Sequence, residues 1–275
     1  MLIDTHCHLD APEFDADRDD VARQALRQGI AKLVIPAVAR SNFDMVIAIC
    51  NQHENCAYAL GIHPMYVNSA AMDDIEVLRS YVQHNNPVAI GEIGLDYFAN
   101  NPQNAKNIVG NNNFDLQSYF FIEQLKIAKQ YDLPVILHVR HAIDDILKQL
   151  RKHPVVGGIA HAFNGSFQQA EQFIALGFKL GFGGAMTYSR SLKIRELAIK
   201  LPLNAIVLET DAPDIPPEWL GRRGRNSPLE IVKIAQVLAD LRQLNIAEVL
   251  EITGSNALKV LPKLTHLCTL PKVLH

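Results

Sequence analysis

The chain has 275 residues, of which 48% are hydrophobic and 20% charged, and its formal net charge is −3. That balance suits a globular protein with a sizeable core and argues against bulk, non-specific nucleic-acid binding, while leaving room for a local basic site. No apolar run approaches the roughly 20 residues of a membrane span. The four cysteines, Cys7, Cys50, Cys56 and Cys268, form no paired framework, so they read as reduced thiols of a cytoplasmic protein.

Short apolar runs alternate with helical patterns along the whole chain. LIDTH (2–6) predicts a first strand. DRDDVARQALRQG (17–29) predicts an amphipathic helix with an acidic start and Gly29 as its stop. KLVIPA (32–37) is the second strand and NFDMVIAICNQH (42–53) the next helix. AYALGI (57–62) and DDIEVLRSYVQHN (73–85) follow as strand and helix. PVAIGEIG (87–94) is a fourth strand, and after a long loop FDLQSYFFIEQLKIAKQY (114–131) is a helix. PVILHVR (134–140), VVGGIAHAF (155–163), FKLGFGG (178–184) and AIVLETD (205–211) supply strands five to eight, with helices between them. Two further helices, 227–242 and 246–261, follow the last strand. Eight strand–helix units without a linker predict one (β/α)8 TIM barrel with extra C-terminal helices, spanning 1–275 with a C-terminal tail over 262–275. A doubly wound open sheet has the same alternation but usually fewer strands.

The chemistry-bearing residues fall at one end of these strands. His6 and His8 sit two apart at the close of the first strand, where alternation would aim both imidazoles to one side and Cys7 to the other. Glu92 lies just past the fourth strand, His138 ends the fifth, His161 ends the sixth, and Asp211 follows the eighth. The carboxyl ends of barrel strands form the active face. Four histidines and two carboxylates converging there predict a divalent-metal site. Six protein ligands are too many for one tetrahedral ion with an open position, and suit two ions sharing a carboxylate. Two such ions, roughly 3.5–4 Å apart, polarise a common water and clamp attacking and leaving oxygens.

DTHCHLD, ALGIHP, GEIGLD, PVILHVR, HAFNG and ETDAP occur in this order between residue 1 and about residue 261. In these motifs the chain resembles the TatD family of metal-dependent hydrolases, within the amidohydrolase-like barrels. Family members include deoxyribonucleases, some of them 3′-to-5′ exonucleases. The resemblance implies a first metal on His6, His8 and Asp211, and a second on His138 and His161, with Glu92 as the bridge. The metals expected are two divalent cations, Mg²⁺, Mn²⁺ or Zn²⁺.

His63, in GIHP after the third strand, is a candidate for holding a substrate phosphate or protonating a leaving group; the alternative is a turn histidine fixed by Pro64. Arg140, two beyond His138, suits bidentate pairing with a phosphate. Asn164 and Gly165 make a turn beside His161 that could let a substrate approach closely; the alternative is an ordinary turn. Arg222, Arg223 and Arg225, in GRRGRNSP, give a basic patch that can track a nucleic-acid backbone; the alternative is a solvated surface cluster. Asn226-Ser227-Pro228 matches the family's Asn-any-Pro motif. Tyr66, Tyr97, Phe98 and Trp219 lie near strand ends, where core or rim packing is the commoner fate of aromatics. The segment 104–113, rich in Asn, predicts a mobile excursion on the catalytic face, either without a role or as a flap that limits access.

The leading expectation is therefore a metal-dependent phosphodiesterase acting on DNA ends or single strands. Asp211 is expected to take the attacking water's proton, with Glu92 and His63 as the other catalytic groups. Two alternatives remain: an amidohydrolase-type enzyme for a small amide, ester or lactone, and a binding protein with a vestigial site. No membrane and no obligate protein partner are expected.

Overall fold

In the computed structural model, residues 1–98 and 114–267 are described. Eight parallel strands follow one another around a single sheet in chain order. They are β1 (Leu2–Asp4), β2 (Ile30–Pro36), β3 (Cys56–Leu60), β4 (Ala89–Asp96), β5 (Val135–Arg140), β6 (Gly158–Ala160), β7 (Phe178–Phe182) and β8 (Ile206–Leu208). Helices α1 (Arg18–Arg27), α2 (Phe43–Gln52), α3 (Asp74–Asn85), α4 (Phe114–Gln130), α5 (Ile143–Lys152), α6 (Phe167–Ala175), α7 (Leu192–Lys200) and α8 (Ile231–Arg242) separate or follow them. The seam between β8 and β1 is held by Thr5, whose backbone N–H and hydroxyl both donate to the Leu208 carbonyl at 3.0 Å. The expected (β/α)8 barrel is thus present. The excursion predicted at 104–113 lies outside the described residues, as do Cys268 and the end of the predicted tail.

Local chemistry fixes where these elements stop. Asp19 and Asp20 in the first turn of α1 and Arg27 in its last complement the helix dipole. Gly29 then takes φ +80°, a left-handed backbone that suits glycine, and turns the chain into β2. Before α6, Ser166 accepts from the Gln169 N–H at 3.2 Å while its own N–H donates to the Gln169 side chain at 2.9 Å, a reciprocal cap.

Two apolar clusters build the core. The larger lies between the sheet and its surrounding helices. The smaller fills the barrel interior with Ile3, Val34, Ala59, Ala89, Ile136, Ile159 and Val207, and is continued by Val260, Leu261 and Leu264. These last residues come from α9 (Ile246–Val260) and α10 (Lys263–Leu267) and the link between them. The extra C-terminal helices therefore cover the interior from the end opposite the site. The strand β4 is buried along its whole length. Such a strand normally reads as a continuous apolar run, so Glu92 and Asp96 inside it are the anomaly to explain.

Strand limits differ from expectation at two positions that matter. β1 ends at Asp4, so His6 and His8 belong to the chain after it. That chain still bonds to both neighbours: Cys7 N–H donates to Val34 O at 3.1 Å and His8 N–H to Ala212 O at 2.7 Å, while His6 O accepts from Asp211 N–H at 2.8 Å. Glu92 lies within β4, not past it, where the pairing with β5 slips register between Ile90 and Ile93.

Candidate metal centre

Glu92 is the hub. Its buried carboxylate faces five imidazoles, and its two oxygens divide them. Oε2 lies 3.2 Å from His6 Nε2 and 3.4 Å from His8 Nε2. Oε1 lies 2.9 Å from His161 Nε2, 3.0 Å from His138 Nδ1 and 3.3 Å from His63 Nε2. Asp211 joins the Oε2 side: its Oδ1 is 3.4 Å from His6 Nε2 and 3.7 Å from His8 Nε2. The tip of His6 meets that of His8 at 3.2 Å, and His161 Nε2 meets His138 Nδ1 at 3.5 Å. An ion bound at roughly 2.0–2.2 Å holds neighbouring donors about 3–3.5 Å apart. The side chains therefore stand at the mutual separations that metal coordination requires, and the donor set of imidazoles and carboxylates fits a divalent cation.

The sequence folds this way because short connections aim these groups inward. Asp211 takes φ +56°, an uncommon backbone for a non-glycine residue, directly after β8. Asn226 holds that turn. It is fully buried, and its amide donates to the carbonyls of Thr210 (2.8 Å), Asp214 (2.8 Å) and Ile215 (3.2 Å). Asp4 ties the other side, accepting from the Thr210 hydroxyl at 2.6 Å, the Thr210 N–H at 3.0 Å and the His6 N–H at 3.3 Å.

Three further carboxylates, which strand-end spacing does not single out, stand behind the histidines. Asp96 Oδ2 is 3.0 Å from His138 Nε2 and so orients the ring whose Nδ1 faces Glu92. Asp10 Oδ1 lies 3.9 Å from His8 Nδ1, and Glu209 Oε1 lies 3.9 Å from His161 Nδ1. Asp10 Oδ1, Glu209 Oε2 and His161 Nδ1 are buried without a hydrogen-bond partner. Glu209 fits only because β7 has Gly181 beside it: a Cβ there would sit 2.0 Å from Glu209 Oε2. All three acids lie inside the motifs DTHCHLD, GLD and ETDAP, so position within a motif is the signal that marks them.

Electrostatics prepare the donors. Burial, with His161 and His8 adding to it against Glu92, pulls His6 down to about 3, so it offers a neutral lone pair. Burial opposes ionisation of Glu92, but His63, His161, His6 and the His138 hydrogen bond outweigh it and hold the carboxyl well below its usual range. At His8 burial is likewise overcome, here by Glu92, Asp211 and Asp10, which carry it up to about 9. Burial at His161 is overcome by Glu92, with Asp211 and Glu209 helping, and it reaches about 10. Without a cation, the carboxylates are thus balanced by imidazolium protons that a metal must displace. Burial raises Asp211, against His161 and His8.

His63 faces the same Glu92 oxygen as His138, and with these two it forms a group that could hold an ion. The Met65 backbone N–H donates to its Nδ1 at 3.1 Å, which leaves Nε2 carrying the proton in the neutral ring. Burial lowers its pKa. It therefore presents an N–H to the centre.

The centre opens into a cleft of about 1590 Å³ lined by His8, His63, Glu92, His138, His161 and Asp211, with Arg140, Asn164 and Lys193 on its walls. The Arg140 guanidinium lies 4.0 Å from the Phe98 ring centre, and Phe98 in turn stacks on His141 at 5.5 Å. Lys193, which the sequence motifs do not mark, donates to the Asn164 carbonyl at 3.1 Å. Arg222, Arg223 and Arg225 do not line the cleft. Arg222 and Arg223 are exposed. Arg225 is committed elsewhere: it grips Asp17 with two bonds of 2.8 and 2.7 Å, donates to Glu13 O and lies 4.9 Å over Phe14. Tyr97 and Tyr66 line the cleft, whereas Trp219 donates to Glu230 at 2.6 Å away from it. Among the described residues no helix is long and apolar enough to cross a membrane.

Comparison with known proteins shows the family. A family model described as TatD related DNase matches residues 3–262. The chain is 39% identical over 259 residues to the metal-dependent hydrolase YjjV of Escherichia coli (strain K12), covering 93% of this chain and 95% of that one. It is 31% identical over 278 residues to Deoxyribonuclease TATDN3 of Homo sapiens, covering 97% and 96% of the two chains. The crystal structure of the Escherichia coli TatD homologue YjjV superposes with a TM-score of 0.86 at 37% identity, over 95% of this chain and 98% of the other. By matched length and identity, this chain belongs to the TatD family of metal-dependent hydrolases.

Proposed function

We propose that the protein is a cytoplasmic phosphodiesterase that cleaves DNA ends or single strands with two divalent cations. The observation that carries this reading is the division of donors by Glu92, with His6 and His8 at one oxygen and His138 and His161 at the other. In this reading His6, His8 and Asp211 would hold one ion and His138 and His161 the other, with Glu92 available to both. When bound, such ions polarise a phosphoryl oxygen and lower the pKa of an attacking water.

The chain's own residues supply the rest. Asp211 Oδ1, beside His6 and His8, takes the proton of the attacking water; burial raises its pKa and suits it to that task. His63 directs its Nε2–H towards the reacting phosphate and stabilises charge developing there. Arg140 and Lys193 place two cations on the cleft wall for the phosphates. The cleft also exceeds the roughly 300–1,000 Å³ of ordinary small-molecule pockets, which suits part of a polymer. The human relative carries the name deoxyribonuclease, and this supports the choice of DNA.

A turnover screen tests the proposal. Labelled single-stranded DNA, RNA, and small amides, esters and lactones are each offered with Mg²⁺, Mn²⁺ or Zn²⁺. Metal-dependent cleavage of DNA is the expected result. Turnover of an amide or lactone with no phosphodiester cleavage under any metal overturns it.

A further inference from the structure

We infer that the wall of the cleft beside β3 is a base-binding shelf, made by Tyr66, Met65 and Met45, which takes the nucleobase next to the scissile phosphate. This rests on the phosphodiesterase reading above. All three side chains line the cleft, and they are 45%, 55% and 48% exposed. Single exposed apolar residues are ordinary. Here three large, exposed ones share one cleft with the imidazoles and carboxylates of the centre.

The shelf is fixed relative to the metal centre. The turn after β3 is built on His63: Tyr66 N–H donates to its carbonyl at 2.9 Å and Met65 N–H to its Nδ1 at 3.1 Å. The Tyr66 ring stands edge-on to the His63 ring at 6.1 Å. A group stacked on Tyr66 therefore lies one residue's width from the histidine that faces Glu92. Met45, in the first turn of α2, adds a second flexible thioether to the same cleft. Thioethers adapt to flat aromatic surfaces, and aromatic side chains stack on any base.

Charge decides what occupies the shelf. The cations among the lining residues are Arg140, at the end of β5, and Lys193, at the start of α7, with Asp144 and Asp145 beside Arg140. The β1 side instead carries Asp10 and Glu13. The β1 side, with acids and no Lys or Arg in its lining, repels a phosphate, so the wall of Arg140 and Lys193 is the side that can draw one. A nucleotide, anionic at one end and planar and weakly polar at the other, matches a cleft that holds both cations and an apolar shelf. A small amide or dialkyl phosphate leaves the shelf bare.

The test is equilibrium binding to chelator-treated protein, read by fluorescence anisotropy. The probes are a labelled single-stranded DNA hexamer and a hexamer of the same charge with abasic sites throughout. Aromatic stacking is worth roughly 5- to 150-fold in affinity per base. Wild type should therefore prefer the intact probe by about tenfold. Met65→Ala/Tyr66→Ala, which keeps both backbone N–H groups, should bind the two probes within about twofold of each other, because little stacking remains. Tyr66→Phe should keep the preference, since stacking needs the ring and not the hydroxyl. Equal binding of both probes by wild type overturns the shelf, as does an undiminished preference in the double variant. Failure of the metal-loaded protein to cleave any phosphodiester overturns the phosphodiesterase reading instead, and leaves this binding result standing.

Discussion

Glu92 is one carboxylate serving donors on both of its oxygens, so its removal differs in kind from removal of any single histidine. Glu92→Ala should abolish retention of either ion after dialysis, whereas His138→Ala should keep one; metal analysis of the dialysed proteins checks this. Two ions retained by Glu92→Ala would exclude the bridge. Protons make a second prediction at this scale. His8 and His161 are held up to about 9 and about 10 by the carboxylates they face, so both are protonated in the metal-free protein at neutral pH. A ligand must shed that proton to bind, so metal affinity rises with pH up to those values and falls as pH drops below them. Calorimetry in buffers of different ionisation enthalpy should show protons released on binding at pH near 7. The residue scale is also where the sequence is least complete. Asp10, Asp96 and Glu209 are visible as letters, but a carboxylate behind a ligand is defined by a distance across the barrel. Arg225 shows the converse. It stands in a basic run, yet its partner Asp17 lies 208 positions away and removes it from the cleft's service.

At the scale of elements, the turn after β8 depends on one side chain. Asn226 donates to three carbonyls around Asp211, and its own oxygen accepts from the Ser227 N–H at 2.9 Å. Asn226→Ala leaves these buried groups unpaired, at about 1–3 kcal/mol for each group that finds no water. The expected outcome is a stability loss of at least 2 kcal/mol (~1–3 per group) in urea unfolding, with weakened metal retention because Asp211 is no longer held at φ +56°. Unchanged stability and full metal retention would show that the turn holds itself. The strands were legible because periodicity and count do not depend on distant partners. Their ends were less so. Apolar content continues past Asp4 in β1 only as single residues, while hydrogen bonding through Cys7 and His8 keeps the chain in line without a strand's regular pairing. For β4 the buried run extends through Asp96, because the polar residues within it are neutralised by imidazoles that only the folded barrel supplies.

For the whole molecule, the eightfold alternation announces the barrel, and the barrel then explains why histidines and carboxylates distant in sequence meet. What alternation does not announce is the role of the last helices. Val260, Leu261 and Leu264 read as an ordinary amphipathic stripe, and their destination, the interior framed by Ile3, Val34 and Val207, appears only when the sheet closes. The interior is thus filled and covered at one end, while the cleft opens at the other. Substrate preference follows from the same division, since the walls that meet the substrate come from connections and not from the repeating scaffold.

The division of donors around Glu92 has an electrical corollary. Of the side chains proposed as direct ligands, only Glu92 and Asp211 are anionic, so two divalent ions leave that set with a surplus of positive charge. An incoming phosphate is then the missing counter-charge. Reciprocity requires that whatever factor the second ion adds to phosphate affinity, phosphate adds to the affinity of that ion. Titrating the ion with and without saturating inorganic phosphate should give a tighter second binding step in its presence, by about 5- to 150-fold for a coupling of ordinary size. Identical isotherms would mean that charge elsewhere, at Asp10 or Asp96, already balances the pair.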